Sequence, residues 1–130
     1  MYRCLYKLVD KYDIKCLDVR WGDCPRNALS EDNEFNNSLK SSFIKQTEKG
    51  LELERQPDIY IDVRIPNEFQ QIGKVNVGIT AGVETNAVSS AFVEGCNRMD
   101  LVITVSEHSK AGFVNAKYEK CGSSYLSRFA

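Results

Sequence analysis

The sequence predicts an α/β fold in which a mainly parallel sheet is sandwiched between helices. Three observations carry this reading. Val75, Val77 and Ile79 alternate with Asn76 and Gly78 before Thr80-Ala81-Gly82 breaks the run, as a strand and its turn would. Ala87 to Met99 has the spacing of a helix that buries Ala91, Val93 and Cys96. Leu101–Val105 is an apolar run too short for a helix and bounded by Asp100 and Ser106, which suits a strand buried on both faces of a parallel sheet. Ser106 then caps a helix opening Glu107-His108-Ser109-Lys110. Such a βαβα order calls for a right-handed crossover. The architecture expected is an open, Rossmann-like three-layer sandwich, with Leu101–Val105 as its most buried strand.

The elements before this stretch follow from the same rules. Leu5, Leu8 and Val9 fall at helical spacing, which predicts a helix over Tyr2–Tyr12. Ile14–Val19 reads as a strand, and Arg20–Leu29, with Gly22 and Pro25, as a loop that Asp23 can close through an Asx-type turn. Ser30 to Asn37 is polar and asparagine-rich, and reads as a surface excursion. Leu39, Phe43 and Ile44 place a short helix over Leu39–Lys49. Asp58–Arg64 is a strand with Ile59, Ile61 and Val63 on one face and Tyr60 on the other, stopped by Pro66. Glu68–Gly73 forms a turn. The last helix continues toward Lys120, and the Cys121–Ala130 tail is irregular. One domain over residues 1–120 is the expectation, with four parallel strands.

Composition excludes several classes of function. The chain has 130 residues, 42% hydrophobic and 27% charged, ordinary for a globular domain. A formal net charge of −1 gives no global attraction to nucleic acid or to an anionic membrane. No apolar run approaches the ~20 residues of a transmembrane helix, and the N-terminus lacks the apolar centre of a signal peptide, so the cytoplasm is expected. The five cysteines are odd in number and lack any CxxC pair; mostly buried, reduced thiols are expected, with no metal site. No cofactor motif is present: GxGxxG, GxxxxGK[ST], GxSxG and HExxH are all missing.

In an open parallel sheet the ligand crevice lies beyond the carboxyl ends of the strands. The residues that follow the strands are therefore the candidates for binding. These are Arg20 and Trp21 after the first, Arg64 and Asn67 after the second, Thr80, Gly82 and Glu84 after the third, and Ser106, Glu107 and His108 after the fourth. Such a set suits polar, hydroxyl-rich or anionic ligands. A glycine at position 82 would let a ligand approach the backbone. Each residue also has a structural role open to it. Ser106 is an ordinary N-cap, Glu107 complements the helix dipole, His108 is a first-turn residue, and Arg20 and Arg64 can pair with Asp23 and Glu68. No nucleophile–base pair is visible.

The strings DVRWGDCPRNAL, RQPDIYIDVRIPNEFQQIGKVNVGITAGVET and EGCNRMDLVITVSEHSKAGF resemble the N-terminal half of two-Rossmann-domain (GT-B) glycosyltransferases of the group 1, family 4-like kind, in bacteriophage and bacterial versions. The shared feature is Asn97, Met99 and Asp100 at a helix end, an apolar strand, then Ser106-x-x-Ser109-Lys110. The resemblance covers roughly Asp10 to Lys120. It implies an acceptor-side Rossmann domain, truncated at both ends, whose wall of Thr80, Gly82, Glu84, Ser106, Glu107 and His108 faces a sugar or glycan acceptor. A second domain would hold the nucleotide-sugar donor, and its absence implies a chain inactive alone. Departures are the missing glycine-rich loop after a first strand, and Phe92 where the group has a tryptophan. The missing strand leaves an unpaired sheet edge through which self-association is expected.

Overall fold

The structure is a computed structural model that describes residues 2–17, 31–44, 46–47 and 50–116. It is α/β and built on parallel pairings, as a Rossmann-like fold is. The chain divides into two compact units, Met1–Glu54 and Arg55–Ala130.

In the first unit α1 (Tyr2–Leu5) tightens into a 3-10 turn at Tyr6–Leu8, shorter than the helix expected to Tyr12. Of the strand expected at Ile14–Val19, Cys16–Leu17 forms β1; Asp18 and Val19, like the loop at Arg20–Leu29, lie outside the described residues. Of the excursion expected at Ser30–Asn37, Glu34–Asn37 is instead the start of α2 (Glu34–Ser41), and Ser30 lies outside the described residues. The asparagines that made it look like loop are what begin the helix. Asn33 is the N-cap, its side chain accepting the Asn36 N–H at 2.8 Å, and the buried Asn36 side chain donates to the Glu31 carbonyl. Edge-to-face packing of Tyr6 on Phe35, with centroids 5.3 Å apart, joins α1's 3-10 extension to α2.

The helix expected over Leu39–Lys49 stops at Ser41. Ser42 donates both its N–H and its hydroxyl back to the Ser38 carbonyl, and the β-branched, aromatic sequence beyond turns extended. Phe43–Ile44 is β2, paired parallel with β1, while β3 (Gln46–Thr47) and β4 (Gly50–Leu51) form an antiparallel pair.

The second unit holds a three-stranded parallel sheet in the order β5 (Ile59–Val63), β6 (Val75–Thr80), β7 (Leu101–Thr104). The parallel sheet contains three of the four strands expected in it; the fourth, β1, pairs elsewhere. Its register puts Tyr60, Asp62, Asn76, Gly78, Thr80, Val102 and Thr104 on one face. This polar and small-residue face is the one that meets the core. Gly78 leaves room for the Phe69 ring, which would lie 2.5 Å from a Cβ at that position. Phe69, Val88, Val93, Cys96, Met99, Val102 and Phe113 form one buried cluster. The aliphatic face is the more open one: Ile59 is 63% exposed and Val63 51%. β5 alternates as the sequence predicts, but its aliphatic side is not the core side.

β7 is not the most buried strand. It stands at the end of the strand order, with Val102 fully buried and its neighbours half-buried, whereas β6, between two partners, buries Asn76, Gly78 and Thr80. Val105 falls outside β7 and is 70% exposed. Pro66–Glu68 forms a 3-10 turn. The helix expected over Ala87–Met99 is α3 (Ser90–Asn97), which buries Val93 and Cys96 but leaves Ala91 exposed. α4 spans Glu107–Val114.

Asn76 fastens the entry to β6. Its side-chain oxygen accepts the Ile72 and Gly73 N–H groups, both at 2.9 Å, and its amide donates to the Gly73 carbonyl. Its own N–H donates to the Asp100 carboxylate at 2.8 Å, tying β6 to the start of β7. The buried amide is thereby satisfied, which is what burial of a polar group requires.

Of the described cysteines Cys96 is buried, Cys16 half-buried and Cys4 exposed; all are free thiols. Burial pushes the Cys96 thiol up to about 12 from an ordinary 9.0. Two outcomes are expected. A thiol reagent at pH 8 modifies Cys96 only on unfolding, which mass mapping with and without urea checks. Between pH 9 and 12 the unfolded thiol loses its proton and the native one does not, so Cys96 lowers stability across that window.

Candidate functional site

Because β5, β6 and β7 are parallel, the residues that follow them share one edge of the second unit. At β5 that edge begins with Arg64. Its guanidinium grips the Asp62 carboxylate through two bonds of 2.7 Å, from Nε and from an Nη. Asp62 also accepts the Gln70 N–H at 3.1 Å. The arginine is therefore committed to a structural pair, and its partner is Asp62. Its side chain is 19% exposed and that of Asp62 only 3%. The hydrogen bond to Asp62 holds the Arg64 pKa above its ordinary value. Burial, then the neighbouring Asp62 charge, push the Tyr60 phenol up. Asn67 is exposed, and its carbonyl accepts a 2.8 Å bond from Arg98.

The exit from β6 is closely fitted to α4. The hydroxyl of buried Thr80 accepts the Gly82 N–H at 3.3 Å. Gly82 has φ of 76°, the left-handed region, so glycine serves the turn. A Cβ there would meet Ser109 Cβ at 2.9 Å and its Oγ at 3.1 Å. The space that a side chain at position 82 would take is filled by α4. Gly82→Val is expected to destabilise the unit by about 2 kcal/mol, from backbone strain and overpacking, as thermal unfolding would show.

Beyond β7, Thr104 donates its hydroxyl to the Ser106 carbonyl, and the Ser106 hydroxyl accepts the Ser109 N–H at 3.1 Å, the N-cap the sequence predicts. Ser106, Glu107 and His108 are exposed, as is Glu84 on the β6–α3 connection. Among the described residues no three His, Cys, Asp or Glu side chains gather as a metal site.

The chain matches no protein-family model, and comparison with curated proteins and with solved structures gives no significant match.

Of the residues singled out, Gly82 packs on α4 and Ser106 caps it, Thr80 bonds Gly82, and Glu84, Glu107 and His108 are exposed on the segments that follow β6 and β7. Arg64 and Asn67 share the edge at its β5 end but serve the turn after β5. Arg20 and Trp21 lie outside the described residues. Sequence reasoning missed Asp62 and Arg98. Arg98 donates to the Phe69 carbonyl at 3.0 Å as well as to Asn67, pinning the turn after β5 to the end of α3. A signal for Asp62 existed: it and Arg64 stand two apart in the strand expected over Asp58–Arg64, hence on one face, where opposite charges can pair. Nothing in the sequence marks Arg98.

Proposed function

We propose that the chain is a glycosyltransferase-like domain, the acceptor-side half of an enzyme that moves a sugar from a nucleotide-sugar to a glycan, and inactive without a second Rossmann-like domain. The observation that carries this reading is the exposed polar rim of Glu84, Ser106, Glu107 and His108 beyond the carboxyl ends of β6 and β7 in a parallel sheet. Support from sequence is the resemblance around Asn97–Lys110. Carboxylates and an imidazole on such a rim hydrogen-bond sugar hydroxyls, and Thr80, being buried and bonded to Gly82, supports the rim without facing a ligand.

Titration of a panel of glycans and nucleotide-sugars tests the reading. Wild type is expected to bind a glycan, and His108→Ala and Glu84→Gln to weaken that binding by roughly 1–3 kcal/mol each. Equal affinities in all three proteins would remove the rim from the reading. A second reading, a non-catalytic carbohydrate-binding module, is favoured by one observation: the Ser106 and Ser109 hydroxyls are engaged in capping and bracing, not held as nucleophiles by His108. Glycan binding without sugar transfer, even with a complementing donor domain supplied, would decide for that reading.

A further inference from the structure

The hydroxyl of Ser109 sits in a relay that the rim does not need. The Ser109 N–H donates to Ser106 Oγ at 3.1 Å, Ser106 Oγ donates to Ser109 Oγ at 3.1 Å, and Ser109 Oγ donates to the Ala81 carbonyl at 2.8 Å. An N-cap requires only the first of these bonds. The last reaches across 28 residues to the connection that leaves β6. Two more ties bind that connection to the same helix. The Val88 N–H donates to the Gly112 carbonyl at 3.2 Å, and the Thr85 carbonyl would lie 3.1 Å from a Cβ at Gly112. The buried residues of α4 are Ser109, Gly112 and Phe113, spaced three and four apart and hence on one face. Ser109 and Gly112 are small, and both lie against this connection.

We infer that Ser109 is a latch that fastens residues 81–88 to α4, so that the connection carrying Glu84 is a preformed wall and not a closing lid. The latch works in both directions along one strand edge. It orients the Ser106 hydroxyl while it holds the Ala81 carbonyl, so the β6 and β7 sides of the rim keep a fixed relation. Its meaning for ligand binding rests on the function proposed above, but its existence does not.

Amide hydrogen exchange measured by NMR on the whole chain tests the latch without any ligand, so a chain that binds no glycan still reports on it. The reporters are the Gly82 and Val88 amides, bonded to Thr80 Oγ1 and to the Gly112 carbonyl. Ser109→Ala keeps the Cβ packed on Gly82 and removes only the hydroxyl. It is expected to speed exchange at both reporters by roughly threefold to tenfold, the weight of one hydrogen bond, with the β7 and α3 amides unchanged. Gly112→Ala pushes on Thr85 from the other end and is expected to speed the same two amides, which keeps the test open if one variant folds poorly. Reporters already unprotected in wild type would overturn the latch, and so would acceleration spread evenly over the sheet.

Discussion

Gly95→Ala is expected to destabilise the second unit by about 3 kcal/mol, the upper end of overpacking. Intrinsic propensity argues the other way, since alanine in place of glycine within a helix gains about 1 kcal/mol. Packing decides the sign. A Cβ on Gly95 would fall on the Pro66 carbonyl and lie 2.9 Å from the Asn67 nitrogen. These are backbone atoms, so no rotamer change relieves the clash. The turn they belong to is also held in place: Pro66 is fully buried, and Arg98 binds the Asn67 and Phe69 carbonyls. Urea unfolding followed through the β6 amide resonances measures the loss. A stabilised variant would show that α3 does not rest on this turn.

Arg64→Ala is expected to cost about 3 kcal/mol and Asp62→Asn only about 1 kcal/mol, because the two partners differ in what they can reach when left alone. Arg64, at 19% exposure, can turn its guanidinium to water, while Asp62, at 3%, cannot. Removing the arginine therefore strands a buried carboxylate, with the Gln70 N–H still aimed at it. Asparagine at position 62 keeps an acceptor for Gln70 and for one guanidinium bond. The same urea titration compares the two variants, with the double variant completing the cycle. Equal losses would mean that the pair is as well solvated as a surface bridge.

The second unit was largely legible in the sequence, and the first was not. β5, β6, α3, β7 and α4 announce themselves because each is a periodic run bounded by a breaker or a cap, and Ser106 caps α4 as its position says it should. In the first unit the periodic runs at Leu5–Val9 and Ile14–Val19 coincide with only a short helix with its 3-10 turn and, among the described residues, with the Cys16–Leu17 strand. Asn33 and Asn36 looked like loop residues, since a residue that caps a helix and one that leaves it share the same chemistry. The choice of core face was illegible for another reason. Ile59, Ile61 and Val63 are apolar enough to be core, but the buried cluster forms where Gly78 makes room for the Phe69 ring, and which glycine accepts a ring is not written in hydropathy. At the candidate site, the order of elements was enough to bring its residues to one edge. Whether a given hydroxyl is free or engaged was not, because Thr80 is engaged by the Gly82 N–H and Ser109 by the Ala81 carbonyl, backbone groups of the kind every residue carries.

The strand order β5-β6-β7 has a consequence for how the unit is made. Parallel pairing is slow to form when partners lie far apart along the chain, since loop closure precedes any gain from contact. Here every strand pairs with the one synthesised just before it. β6 finds β5 already complete, and the Asn76 N–H waits only for Asp100, 24 residues on, to close its bond as β7 arrives. The sheet of this unit can therefore grow vectorially from the ribosome, each strand templated by its predecessor, with no interval in which a finished strand must hold itself open for a distant partner.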